Sequence, residues 1–102
     1  MTDVFTAIAS PVRRALLDAL RDGPLPVHQL ADDFAISRPA VSQHLQVLRQ
    51  AELVAEERVG RERRYRLQPA RLREVTDWVS RYERFWADRI TALRELLDDQ
   101  DQ

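Results

Sequence analysis

The chain has no cysteine, no lysine and no asparagine, and only two glycines in 102 residues. Without cysteine there is no disulfide, no thiolate metal site and no cysteine nucleophile. With Gly23 and Gly60 as the sole glycines, there is no glycine-rich loop to cradle a phosphate. No run of about 18 apolar residues is present, so no segment reads as a membrane span. The N-terminus does not read as a secretory leader. No acid–histidine–nucleophile grouping can be placed, so the chain is not read as an enzyme. A cytoplasmic location is the expectation. All sixteen basic side chains are arginine; the missing Lys and Asn fit GC-rich coding and carry no functional argument.

What is present suits one globular domain spanning residues 1–102, 44% hydrophobic and 32% charged. A domain of this size buries a modest fraction of its surface, so further burial in an oligomer favours it. The net charge is -1, but it is unevenly spread. Residues 37–66 hold seven Arg and four acids, whereas both flanks are net acidic. A local phosphate-facing surface requires such a concentration.

The organising stretch is Ser37 to Ala51. Val41, Leu45 and Leu48 recur at helical spacing, Ser37 is placed to cap the helix, and Pro39 falls in its first turn. The other face carries Arg38, Ser42, Gln43, Gln46 and Arg49 and no acid. Such groups suit bidentate contacts to base edges in a DNA major groove, while Pro39 and Ala40 suit thymine methyls. Before it, Asp3–Ala9 reads as a short helix, with Val4, Phe5 and Ile8 on one side. Ser10-Pro11 starts a helix over Val12–Arg21 that Gly23-Pro24 ends, with Gly23 suited to a left-handed cap. Leu25-Pro26-Val27 is an extended link able to add one short strand. Val27–Phe34 is a short helix directing Val27, Leu30, Ala31 and Phe34 inward, and Ala35-Ile36 turns into Ser37. Two helices so joined form a helix-turn-helix.

Leu53–Val59 and Arg61–Leu67 flank Gly60 and read as a hairpin with Tyr65 and Leu67 on its packed face. Arg58, Arg61, Arg63, Arg64 and Arg66 stand against one acid, Glu62, within nine residues. A polyanion relieves their repulsion; an arginine-rich strand edge that blocks aggregation is the other reading. From about Ala70 to Leu97 runs one long helical pattern of about 28 residues, roughly 40 Å. Its stripe of Val75, Trp78, Val79, Tyr82, Phe85, Trp86, Ile90, Leu93, Leu96 and Leu97 is wider than this domain can cover, so part of it is expected to bury against a second copy. Val4 and Phe5 are grouped with Trp78, Tyr82, Phe85, Trp86, Ile90 and Leu93 as that dimer face. The tail Asp98–Gln102 is expected to fray.

These residues resemble the ArsR/SmtB-type winged helix-turn-helix repressors. The likeness is carried by Ser37-Arg-Pro-Ala-Val-Ser-Gln-His-Leu-Gln-Val-Leu-Arg-Gln-Ala-Glu-Leu-Val54, by Arg58-Val-Gly-Arg61 and Tyr65-Arg-Leu67, and upstream by Ala9-Ser-Pro-Val-Arg-Arg-Ala-Leu-Leu17. The resemblance implies a mainly α fold with a small β-hairpin wing (about 53–67), a recognition helix (about 38–51) and a long C-terminal dimerisation helix (about 70–97). It implies a homodimer on a double-stranded DNA operator that blocks transcription, commonly of its own gene and a neighbour.

The expected base readers are Arg38, Pro39, Ala40, Ser42, Gln43 and Gln46. The expected backbone contacts are Ser37, His44, Arg49, Arg58, Arg61, Arg63 and Arg64; His44 stands where the family often has His, near the backbone or the core. Glu52 stands where the family usually has Gly, and a left-handed turn there costs up to about 1 kcal/mol. Many members sense metal through Cys on the helix before the recognition helix, or through Asp and His on the last helix. Here Val27–Phe34 has no Cys, the last helix has no His, and His28 and His44 lie on different helices. No metal or other cofactor and no membrane partner is expected, and no small-molecule effector is identified. The chain therefore resembles the subgroup without known metal sensing. An effector-responsive repressor of the same fold and a winged-helix module for protein binding are the alternatives.

Overall fold

The structure, a computed structural model, describes residues 2–100; Met1, Asp101 and Gln102 lie outside the described residues. In chain order the elements are α1 (Val4–Ala7), α2 (Pro11–Ala19), β1 (Leu25–Pro26), α3 (Val27–Asp33), α4 (Arg38–Gln50), β2 (Val54–Val59), β3 (Glu62–Leu67), α5 (Arg73–Ser80) and α6 (Ala87–Gln100). Short 3-10 turns at Pro69–Leu72 and Glu83–Phe85 lead into α5 and α6.

Side-chain oxygens start the first helices: Asp3 Oδ1 accepts from the Thr6 N–H and the Ser10 hydroxyl from the Arg13 N–H. The core is where their apolar faces meet. Leu16, Leu30, Val41, Leu45, Leu48 and Leu53 are 0% exposed, and Tyr65 of β3 closes the core from the sheet side at 1%. β2 and β3 form an antiparallel hairpin turning through Gly60-Arg61, with Val59 opposite Glu62. Gly60 takes φ +65°, which a glycine adopts without strain. β1 adds to the far edge of β3, Leu25 opposite Tyr65, giving the order β1-β3-β2. The extended link Leu25-Pro26-Val27, able to add a short strand, does so at Leu25–Pro26, while Val27 already opens α3.

The end of α4 is built by backbone bonding. The Leu53 N–H donates to the Leu48 carbonyl and the Glu52 N–H to the Arg49 carbonyl, both at 2.9 Å. This paired bonding closes a helix on a left-handed residue, with Leu53 packed back towards Leu48. Glu52 is that residue, at φ +60°, the turn anticipated from its replacement of Gly.

Three expectations are corrected. First, Gly23 does not cap α2 in the left-handed well. The helix closes at Leu20, three residues earlier, and Gly23 takes φ +147°, a positive-φ conformation that L side chains rarely adopt.

Second, the single helix expected over 70–97 is two helices. Between them i to i+3 bonds replace the α pattern: Tyr82 N–H to the Val79 carbonyl, Phe85 N–H to Tyr82 and Trp86 N–H to Glu83. An apolar repeat of three and four residues suits both windings, and the aromatics at 78–86 have only middling helix propensity. Tail residues Asp98–Gln100 continue α6, whereas Asp101 and Gln102 lie outside the described residues.

Third, Val4 is 2% exposed inside its own chain's core and leaves no surface for a partner; its neighbour Phe5, at 44%, does. Helical rotation by one residue separates the two fates.

Candidate nucleic-acid interface

α4 shows how the site is presented. Ser37 accepts from the Ala40 N–H at 3.3 Å and so starts the helix. Val41, Leu45 and Leu48 bury one face completely and fix its rotation. Arg38, Pro39, Gln43, Gln46 and Arg49 are left exposed, with Ala40 and Ser42 half-buried at the edge. All six residues expected to read bases thus lie on or beside one outward face. Ser37 is exposed at its N-terminal end.

The wing meets this face. An open cleft of about 350 Å³ is lined by Arg38 and Ser42 of α4, Val27 and His28 of α3, and Arg58, Arg61, Glu62 and Arg63 of the hairpin. Four guanidiniums border it against one carboxylate. Strand alternation sorts the rest: Arg63, Tyr65 and Leu67 share one face of β3, while Glu62, Arg64 and Arg66 share the other.

Register then pairs charges that lie apart in sequence. Glu56 Oε2 accepts from Arg49 Nη1 at 2.8 Å, while its Oε1 pairs with Arg63 Nε at 2.9 Å. Arg63 also donates to the Tyr65 hydroxyl at 3.1 Å. That hydroxyl first, and the Glu56 charge second, raise the Arg63 pKa, so this guanidinium stays charged. Glu62 pairs with His28 Nε2 at 3.1 Å and Arg64 Nη2 at 3.0 Å. Its carboxyl is held below its usual range, chiefly by the His28 hydrogen bond and then by Arg64. Arg66 lies 3.8 Å from Glu57. Arg58 and Arg61 at the tip have no acidic oxygen within 4.0 Å among the described residues. Of the five arginines read as a uniform cationic run, only these two lack an acidic partner.

Of the two placements open to it, backbone or core, His44 lies towards the core. It is half-buried, and Arg13 Nη1 lies 3.3 Å from its Nδ1. A guanidinium only donates, so Nδ1 is the acceptor and the proton of the neutral ring sits on Nε2. The same Arg13 donates to the carbonyls of Ala7 at 2.6 Å and Thr6 at 3.1 Å. It therefore fastens the end of α1 to the middle of α4. Arg13 and Glu56 were not singled out in the sequence, and His28 was weighed only as a lone histidine, because their partners lie 31, 7 and 34 residues away.

Away from the cleft an aromatic ladder runs from Phe5 of α1 to Trp78 of α5, with centroids 5.8 Å apart, then to Tyr82 at 5.5 Å and Phe85 at 6.2 Å. With Trp86, Ile90 and Leu93 these residues are 44–63% exposed. Among the described residues no three His, Cys, Asp or Glu side chains come together as a metal site, and no helix is long and apolar enough to cross a membrane.

The sequence profile described as "Bacterial regulatory protein, arsR family" matches residues 10–56, the span from the start of α2 into the hairpin. HTH-type transcriptional regulator Rv2034 of Mycobacterium tuberculosis is 43% identical over 92% of this chain and 85% of its own length. This chain belongs to the arsR family of bacterial regulatory proteins. Transcriptional repressor SdpR of Bacillus subtilis is 38% identical over 78% of this chain and 88% of its own. Among solved structures, a possible transcriptional regulator for arsenical resistance superposes with TM-score 0.72 at 39% identity, covering 90% of this chain and 96% of that one. An ArsR-like regulator from Rhodococcus superposes at 0.73 with 30% identity, covering 94% and 88%. The fold is the winged helix-turn-helix of ArsR-family regulators, and the chain is a DNA-binding transcriptional regulator rather than an enzyme.

Proposed function

We propose that this ArsR-family regulator is one winged helix-turn-helix domain that acts in the cytoplasm as a homodimeric repressor. It works on its own or a neighbouring promoter, without metal. The observation that carries this reading is the outward face of α4, beside a cleft bordered by Arg38, Arg58, Arg61 and Arg63. In this reading Arg38, Ser42, Gln43 and Gln46 address base edges, and Pro39 and Ala40 touch thymine methyls. Arg58 and Arg61 hold phosphates most directly; Ser37, His44, Arg49, Arg63 and Arg64 border the backbone from positions already braced within the protein.

Phe5, Trp78, Tyr82, Phe85, Trp86, Ile90 and Leu93 meet a second copy. An apolar stripe this continuous is rare on a monomer's surface. The metal-free reading rests on residue types: the chain has no cysteine, and the segment from α5 through α6 has no histidine.

The test is fluorescence anisotropy with the DNA upstream of its own gene and with a shuffled duplex, at two salt concentrations. Binding to the upstream duplex is expected to be about a thousandfold or more tighter, with both weakened by salt. Equal affinities refute autorepression, and no binding at low salt refutes an operator-binding apo protein.

A further inference from the structure

We propose that Glu56 is a positioning residue for sequence discrimination, clamping Arg49 of the recognition helix and Arg63 of the wing in one fixed arrangement. The proposal rests on the DNA-binding reading above and assigns a role to an acid which that reading leaves unused. A carboxylate beside two guanidiniums of a DNA-facing surface opposes a polyanion, so charge alone argues against it. Its geometry gives the counter-argument. Each oxygen holds a different arginine, at 2.8 Å and 2.9 Å, and the Glu56 side chain is only 20% exposed. Arg63 is held a second time by the hydroxyl of Tyr65, which is itself 1% exposed. The buried sheet thus fixes Arg63, Arg63 and Glu56 fix each other, and Glu56 reaches across to α4.

Two consequences follow for binding. Arg49 and Arg63 are ordered before DNA arrives, so their freezing does not oppose association. The angle between α4 and the hairpin is also braced, so Gln43 and Gln46 keep their pose when the wing engages the backbone. Base-edge contacts demand that pose, whereas phosphate contacts tolerate many. Removing the clamp therefore separates specific from non-specific affinity.

The experiment compares wild type, Glu56→Gln and Glu62→Gln on the tightest duplex enriched by wild type from a random-sequence pool and on its shuffled counterpart, at equal salt. Glu62→Gln removes an acid from the same hairpin whose ion pairs, to His28 and Arg64, do not reach α4. The expected result for Glu56→Gln is a specificity ratio lowered about tenfold, with shuffled DNA bound as tightly as before or tighter. For Glu62→Gln both duplexes are bound more tightly and the ratio is kept. Should Glu56→Gln tighten both duplexes alike, only charge matters and the proposal is overturned. Should it weaken both alike, the variant has lost folded protein rather than positioning, which also overturns it; a thermal melt measures that loss directly. Arg49→Gln, which cuts the same clamp from α4, is expected to lower the ratio similarly and to add nothing in the double variant. A wild type that enriches no sequence overturns the DNA-binding reading itself, and this proposal with it.

Discussion

Replacing Glu52 by glycine should make the protein more stable, although it deletes an ion pair. Glu52 is the sole non-glycine residue with positive φ among the described residues, at +60°. It is locked there by the two bonds that close α4 onto Leu48 and Arg49. A side chain in that conformation costs about 1 kcal/mol that glycine does not incur. Against this stands the Arg71–Glu52 contact at 2.7 Å, whose partners are 50% and 63% exposed. An exposed pair of that kind contributes between nothing and about 1 kcal/mol, centrally about 0.5 kcal/mol.

The difference favours glycine by about 0.5 kcal/mol, a rise in melting temperature of roughly 2–4 °C for a domain of this size. The assay is thermal unfolding by circular dichroism at matched protein concentration, because any association makes the midpoint concentration-dependent. Glu52→Ala supplies the internal control: it loses the ion pair and keeps the strain, so it should melt at or below wild type. The expected order is Gly, then Glu, then Ala. In an Arg71→Ala background the gain from glycine should grow, since no ion pair remains to lose. If Glu52→Gly melts below wild type in both backgrounds, the strain argument is wrong.

Other outcomes follow from single features. Gln43→Ala should lower discrimination between duplexes by about 1–3 kcal/mol, whereas Arg61→Ala should weaken all duplexes alike and reduce the salt slope by about 1, both read by anisotropy titration. Arg64→Ala should change the slope less than Arg61→Ala, because Arg64 is held by Glu62; equal changes contradict the sorting of wing arginines. Glu62 titrates below its usual range. Such an acid contributes stability that is present above its unfolded pKa, near 4.3, and is lost as pH falls through its lower folded value. Wild type should thus lose more stability than Glu62→Gln between about pH 5 and 3, and parallel acid-unfolding curves would refute the coupling. Leu93→Glu, at a position 57% exposed in one copy, should shift dimer to monomer in sedimentation equilibrium by tenfold or more, since a buried unpaired carboxylate costs several kcal/mol.

The helix-turn-helix was legible because three signals agreed: an apolar 3.6 period, Ser37 as a cap, and Pro39 in the first turn. The end of α4 was legible for a different reason, since Glu52 broke a family habit at a place where only one backbone conformation closes the helix. The C-terminal segment was not legible. Residues 70–97 hold no proline and no glycine to mark a break, and an apolar repeat does not distinguish an α turn from a 3-10 turn. Val4 failed for want of phase: in a helix of four residues, two adjacent apolar side chains point to different surroundings, and periodicity needs a longer window to tell them apart.

The wing shows what a linear count of charge leaves out. Counting along residues 58–66 gave five arginines against one acid. A two-residue turn at Gly60-Arg61, however, requires that each pair of opposed residue numbers sum to the same value. With Val59 opposite Glu62, that rule places Glu57 opposite Arg64 and Glu56 opposite Tyr65, as observed. Two acids from the first strand thereby reach the second, and the arginines divide. Arg63, Arg64 and Arg66 have acidic partners in the hairpin itself, while Arg58, just before the turn, and Arg61, within it, do not. Mutual repulsion is relieved along the sheet, where order is needed, and left unrelieved at the tip, where a polyanion can relieve it. Within DNA-binding hairpins of this kind, charge should therefore be counted after the turn has set the register. On that count this wing is a braced strand pair with a cationic tip, and its acids order the arginines of the strands rather than diluting the charge of the tip.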